Sequence, residues 1–434
     1  MKNKIIKILV MSVLICVVMV QSGCKKDYTD PNKAMEDDLF ANPTKAGLSG
    51  VATGLQRVYT LGRASNLYNH VTINGLLTNE LIVVNTGNTA EVQLATGGTA
   101  VDGNHSMLTT FWTNLNKVIY DADKVITSAK TLGDKNFGSS LIVYASIFKA
   151  LSIGDLSQFW EKVPSSIGAS VSFIDRVDGF KKAITVIDEA LAAIAANPLS
   201  TSFSLYVPAG IDMVNTLHAL RARYSLFAGL YSQALTEANL VDLTKKSTFN
   251  FDALSLNPLY EVATSTNNVV QPKDSTLGLL VPLQPSLTDG RVPFYTSINA
   301  TIAPRFRIKG FGDAAATAFP IYLPGEMMLI KAEAYARAGT PDLVNGTTEL
   351  NKVVTKNNDI YGVNANQPAA APATIAELLD QIYRHRSIEL FMSGLKLEDM
   401  RRFGRPTAER KRNLMPYPLR ERDNNPNTPP DPPF

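Results

Sequence analysis

Apolar positions recur every three or four residues in two long stretches. In 107–130 Phe111, Leu115, Val118 and Ile119 fall on one face, and in 140–160 Ile142, Ala145, Phe148 and Leu151 do the same. That spacing predicts helices that bury one stripe. A further helix is predicted over about 176–196, and an earlier one from Thr44 with Ala46, Val51, Leu55 and Val58 as its inner stripe. Residues 62–105 lose the periodicity and are rich in Gly, Asn and Thr, as in Asn85-Thr86-Gly87-Asn88-Thr89 and Thr96-Gly97-Gly98-Thr99. So long a loop-rich stretch is usually functional or disordered. Residues 242–320 break the pattern again. Pro258, Pro272, Pro282, Pro285, Pro293 and Pro304, with β-like runs such as 279–283, predict irregular structure and a few short strands. Residues 424–434 are proline-rich and read as extended.

Residues 217–241 carry a second kind of pattern. Ala219, Ala222, Tyr224, Gly229, Tyr231, Ala234 and Ala238 match the small-residue and aromatic positions of a tetratricopeptide repeat. Alanines let two antiparallel helices approach closely, glycine permits the tight turn, and tyrosines fill the gap to the next pair. A weaker copy spans 328–354, with Ala332, Ala334, Tyr335, Gly339 and Leu350. The expected fold is therefore mostly α: a tetratricopeptide-like helical-repeat scaffold with irregular, loop-rich insertions and a few short strands.

A chain of 434 residues with 45% apolar positions can bury a large core, which excludes disorder and fibre. Its start is a different matter. Lys2, Lys4 and Lys7 precede an uncharged apolar run, 8–20, too short to cross a hydrocarbon layer of roughly 30 Å, so 1–23 read as a cleaved signal peptide. The run ends in Gln21-Ser22-Gly23-Cys24, which resembles a bacterial lipobox with Gln21 at the usual aliphatic position. Cys24 would then be acylated, become the first residue of the mature protein and fix it to a membrane. It would otherwise be a lone free thiol in an exported chain, since Cys16 leaves with the signal. Residues 24–43 are polar, carry Pro31 and Pro43, and read as a flexible tether to one domain over 44–434. Losing 1–23 removes three lysines and no acid, so the formal charge falls from +3 to zero. A neutral mature protein has no general attraction for nucleic acid.

Reactive chemistry is hard to find. The four histidines (His70, His105, His218, His385) form no metal-spaced pair, and HExxH, CxxC, Gly-x-Ser-x-Gly and a phosphate-binding loop are absent, so no metal or cofactor is expected. Gly310-Phe311-Gly312 reads as a bend. Glycoside hydrolysis needs two carboxylates across a cleft, and nothing in the spacing of Glu80, Asp289 or Glu398/Asp399 recommends them. Glu398-Asp399 are expected on an exposed helix face beside Arg401-Arg402. Sugar binding without catalysis asks less: aromatic faces and hydrogen-bonding side chains on loops. The candidates are Tyr68, Asn69, His70, Asn79 and Glu80 in 62–105, and Tyr260, Asp289, Arg291, Phe294 and Tyr295 in 242–320. The competing reading is that these aromatics close local mini-cores. Trp112 and Trp160 sit in helical stripes and are expected in the core.

The C-terminal third resembles a known family. IYLPGEMMLIKAEAYARAG (321–339), ELNKVV (349–354), IYRHRSIELFMSGLKLEDMRRFG (382–404) and NLMPYPLRERDNNPN (413–427) follow the order of motifs in SusD/RagB proteins, nutrient-binding outer-membrane lipoproteins of Bacteroidetes. Arg386, Glu389, Leu390, Gly394, Asp399, Arg401, Arg402 and Gly404 stand at motif positions, and Pro416-Tyr417-Pro418 at the family's proline turn. Asp289-Gly290-Arg291-Val292 is similar to its "DpRl" segment, and Trp112 with 117–126 to its early helix. His385, Ser387 and Ser393 replace charged family residues, and Leu397 and Phe403 replace tryptophans. The resemblance implies an ion network among Arg386, Glu389, Asp399, Arg401 and Arg402 between the last helices, with ligand-side loops at about 62–105 and 242–320. It also implies a surface-exposed outer-membrane lipoprotein that holds a glycan or other nutrient for a SusC-like TonB-dependent barrel, without catalysis. A scaffold that binds only protein partners and a glycosidase are the other readings.

Overall fold

The computed structural model describes residues 36–263, 268–301, 303 and 305–434. The signal peptide, Cys24 and most of the tether lie outside them. From residue 36 the tether segment carries a short helix, α1 (Glu36–Ala41), in an N-terminal unit that ends at Asn42; a second unit runs from Pro43 to Phe434.

That second unit is mostly helical. α2 (Lys45–Thr60), α3 (Asn66–Leu77) and α4 (Thr89–Thr96) lead into the long pair α5 (Ser106–Ala129) and α6 (Lys135–Phe159), then α7 (Arg176–Ala196), α8 (Met213–Phe227) and α9 (Tyr231–Leu240). The short α10 (Pro258–Ala263) and α11 (Arg291–Tyr295) fall in the proline-rich segment. They are followed by α12 (Pro324–Ala336), α13 (Leu343–Val354), α14 (Ile375–Glu389), α15 (Lys396–Arg402) and α16 (Leu419–Asn424). Each helix of the series α5 to α9 packs on the next, α9 packs on α12, and α12 packs on α13 and α14. Stacked antiparallel pairs of this kind bury a continuous core that no single pair could close.

Local chemistry sets the ends. Thr44, Asp134, Asp212, Asp342 and Thr374 each stand at an N-cap and accept from the backbone N–H three residues on, which relieves one orphan donor. Gly229 turns α8 into α9 at φ +75°, a left-handed backbone that side chains disfavour. At Gly154 a Cβ would lie 2.3 Å from the Tyr224 ring, so glycine is what lets α6 meet α8 there. α6 is long and apolar enough to cross a bilayer, yet its apolar window is 94% buried inside the protein, as in a core helix. Trp112 and Trp160 are buried and meet edge to face at 4.8 Å. In α12 to α14, Leu329, Ala332, Leu350, Val353, Leu378 and Ile382 form one cluster.

Strands are few among the described residues: β1 (Leu81–Val83), β2 (Lys162–Pro164), β3 (Phe173–Asp175), β4 (Thr248–Phe249), β5 (Val270–Pro272), β6 (Thr296–Ile298), β7 (Phe306–Ile308) and β8 (Phe319–Pro320). They pair antiparallel as β1–β5, β2–β3, β4–β8 and β6–β7. The β1–β5 ladder, Leu81 opposite Pro272 and Val83 opposite Val270, ties the proline-rich segment to the chain after α3.

Three expectations change. The inner stripe of α2 is Leu48, Ala52, Leu55 and Tyr59; Ala46 is exposed, because the helix is rotated relative to the predicted face. Residues 279–283 form no strand. Residues 62–105 are largely ordered elements, and every residue of α3 is buried. α3 reads as loop because it puts polar groups in the interior, where the fold satisfies them: Asn69 Nδ2 donates to the Ser65 carbonyl at 2.9 Å and Asn74 Nδ2 to the Gly394 carbonyl at 2.7 Å.

Candidate functional site

Seven of the ten side chains predicted to contact ligand are buried with partners inside the fold: Tyr68, Asn69, His70, Glu80, Asp289, Arg291 and Tyr295. They present no surface to a ligand in this structure, which corrects the picture of open loops. Tyr68 Oη donates to Glu91 Oε1 at 3.1 Å, and Arg63 Nη2 holds the same carboxylate at 2.6 and 2.7 Å. His70 Nδ1 lies 3.0 Å from Asp155 Oδ1, beside an internal cavity of about 30 Å³ that also touches Tyr59, Arg223 and Glu326. That volume suits a water molecule or two and no sugar.

Asp289 and Arg291 act as a clamp. Arg291 donates from Nε and Nη2 to the two Asp289 oxygens at 2.9 and 2.7 Å, and from Nη1 to Glu389 at 3.3 Å. Burial alone would lower the Arg291 pKa, but the two carboxylates outweigh it and hold the guanidinium charged. Burial, with Arg291 and Arg384 adding to it, pushes His385 well below its ordinary value, so its neutral Nδ1 accepts from Arg291 at 2.9 Å. Tyr295 Oη donates to the Glu389 carbonyl at 2.5 Å, and its ring packs edge to face with Phe294 at 4.9 Å in a local aromatic cluster with Phe311.

The other motif residues lie in the same kind of interior. Arg386 Nε donates to Asp399 Oδ2 at 2.9 Å, and Arg402 reaches Asp399 and Glu333. Arg401 bridges Glu398 at 2.7 Å and the Gln158 carbonyl at 2.7 Å, and burial pushes it down to about 10 despite Glu398. Gly394 holds φ +75° and offers its carbonyl to Asn74. Glu398 and Asp399, expected on a solvent face, are each 1% exposed. α15 is short and packed on α3 and α14, so its carboxylates turn inward to the arginines.

What remains open lies along α14. A groove of about 600 Å³ runs between its outer face, the loop Gln367-Pro368 to Ala370-Ala371-Pro372, and Pro282-Leu283. Glu377, Asp380, Gln381 and Arg384 line it at i, i+3, i+4 and i+7, so one helix face supplies its polar groups. Arg384 Nη2 donates to the Gln284 carbonyl at 3.0 Å and so holds the 282–284 wall against the helix. Sequence reasoning missed these residues. The one signal was the exposed polar face of α14, which looks like any solvated helix.

Asn79, half-buried like the candidates Tyr260 and Phe294, donates to the Glu409 carbonyl at 3.1 Å. It lines a second pocket of about 130 Å³ with Lys273, Leu283 and Lys396. Gly278 seals one wall: it stands at φ +75°, and a Cβ there would lie 2.3 Å from the Asn79 carbonyl oxygen. Among the described residues no group of three or more His, Cys, Asp or Glu is placed to hold a metal.

These features define a helical-repeat protein with an open polar groove walled by its irregular insertion. The SusD family model matches residues 311–431. Among solved structures, a SusD superfamily protein from Bacteroides vulgatus is 14% identical at a TM-score of 0.69, over 90% of this chain and 99% of that one. A SusD homolog from Bacteroides thetaiotaomicron is 13% identical at 0.70, over 92% and 99%. A SusD-like carbohydrate binding protein from Bacteroides fragilis is 14% identical at 0.65, over 84% and 87%. No curated protein matches. The chain therefore shares the fold of these structures, and its residues 311–431 are similar to the SusD family.

Proposed function

We propose that the protein is a non-catalytic, lipid-anchored outer-membrane protein that captures a glycan or oligosaccharide at the cell surface and passes it to a SusC-like TonB-dependent barrel. The groove on α14 carries this reading. Its volume falls within the roughly 300–1,000 Å³ of small-molecule sites, and it pairs an apolar wall with amide and charged groups that suit sugar hydroxyls. Its two carboxylates, Glu377 and Asp380, stand three residues apart on one helix, so they do not bracket a glycosidic bond from facing walls. The Bacteroides fragilis structure described as a carbohydrate binding protein supports the ligand class. The lipobox-like Gln21-Ser22-Gly23-Cys24 supports the anchor.

A calorimetric panel of oligosaccharides and peptides tests the reading. Saturable binding of an oligosaccharide, weakened by Gln381→Ala and with ligand recovered intact, is expected; cleaved ligand or no binding across the panel contradicts it. For the anchor, Cys24→Ala is expected to release the folded protein from membranes, and continued pelleting with them refutes acylation at that site.

A further inference from the structure

The small pocket on the other side of Leu283 holds an imbalance of charge. Lys396 is 4% exposed, and among the described residues its ammonium makes a single hydrogen bond, to the Leu277 carbonyl at 3.2 Å. An ammonium carries three protons to share, and burying one without an anion is costly. Exposed Lys273 lines the same pocket. Glu409 lines it too, but among the described residues neither lysine forms a direct ion pair with a carboxylate. The charged groups that act on Lys396 are Glu80, Glu409 and Lys273. Glu409 is already held by Arg405, whose Nε donates to it at 3.0 Å. Glu80 is buried, and that burial pushes its carboxyl up to about 7, so near neutral pH it offsets only part of the positive charge. Burial pushes the Lys396 ammonium below its ordinary value, Glu80 and Glu409 oppose this, and Lys273 adds to it.

We propose that this pocket is an oxyanion subsite, which takes the carboxylate or sulfate of an acidic saccharide lying in the adjoining groove. At about 130 Å³ it fits a substituent and not a sugar chain, and Leu283 lines both spaces, so the pocket adjoins the groove at that side chain. An oxyanion there would accept from both ammoniums, and hydrogen bonds between full charges are the strong ones. The ligand class rests on the groove's binding a saccharide; the anion site does not.

The experiment titrates the full chain with inorganic sulfate, with a glucuronate-bearing and a sulfated oligosaccharide, and with their neutral counterpart. The wild type is expected to bind at least one acidic form about tenfold or more tighter than the neutral one, the size of one charge-assisted hydrogen bond. Which acidic form gains identifies the anion. Lys396→Met and Lys273→Gln are each expected to erase that preference while leaving neutral binding as it was. Lys273 is on the surface, so its variant carries the test if the buried one fails to fold. Sulfate binding with no saccharide binding keeps the subsite and removes the groove reading. Equal binding of acidic and neutral forms, or an unchanged preference in Lys273→Gln, overturns the subsite.

Discussion

In the last turns of α14 Arg386 and Glu389 are fully buried and meet counter-charges from Asp399, Arg291 and Lys356, whereas two turns earlier Glu377, Asp380 and Gln381 face an open groove. One helix thus serves as a structural clamp at one end and as a wall of the candidate site at the other. The clamp fixes the insertion: Arg291 on α11 and Lys356 after α13 both end on Glu389. The groove end spends little on internal pairing, so its polar groups remain available to a ligand. Charged side chains in the two places look alike in sequence, and only their burial separates stability from recognition.

Breaking the clamp should have the largest effect. Glu389→Ala would take one of two carboxylates from each of Arg291 and Lys356, which keep Asp289 and Asp359, and losing a buried hydrogen bond to a charged group costs about 1.5–3 kcal/mol. Denaturant unfolding should show that loss, and an unchanged midpoint would mean that the clamp is not a stabilising element. Glu80→Gln should act in the opposite direction and only above mildly acid pH. The folded state keeps a proton on Glu80 up to about 7, while the unfolded chain releases it near 4.5. The wild type therefore loses stability as pH rises between those values and no more beyond, a slope the glutamine variant should lack. Melting curves at pH 4, 6 and 8 would show it; parallel wild-type and variant profiles would refute the raised carboxyl. At the groove, Gln381→Ala should weaken binding and move stability by about 0.5 kcal/mol or less, as a surface change does. A large loss of stability there would dissolve the contrast between the two ends. Lys273→Gln should leave the melting temperature unmoved.

Much of the scaffold was legible before any coordinates. α5, α7, α8, α9, α12 and α13 bury one stripe each or carry repeat spacing, and both signals survive in a single sequence. α3 was illegible for the opposite reason, since it is buried on every side and fills the interior with Asn69, Asn74 and His70. The candidate site was the least legible part. Aromatic and polar residues in loop-like sequence suggested binding, yet Tyr68 and Tyr295 proved to be internal struts. The groove instead joins Leu283, Gln367 and Gln381, which are far apart in the chain and of ordinary type, so only the fold brings them together. Lys396, too, is turned inward by α15, which nothing in a lone lysine of the sequence reveals.

The central claim is that the groove on α14 captures an oligosaccharide without changing it. Ala371 is exposed on the groove wall, so Ala371→Trp should fill the space without touching the core. Calorimetric titration of that variant beside the wild type, with the oligosaccharide the wild type binds best, is the most direct measurement. Saturable wild-type binding with intact ligand, and no heat of binding in an equally stable variant, is the predicted result. Undiminished binding by the variant, or ligand recovered in pieces from the wild type, would contradict the account.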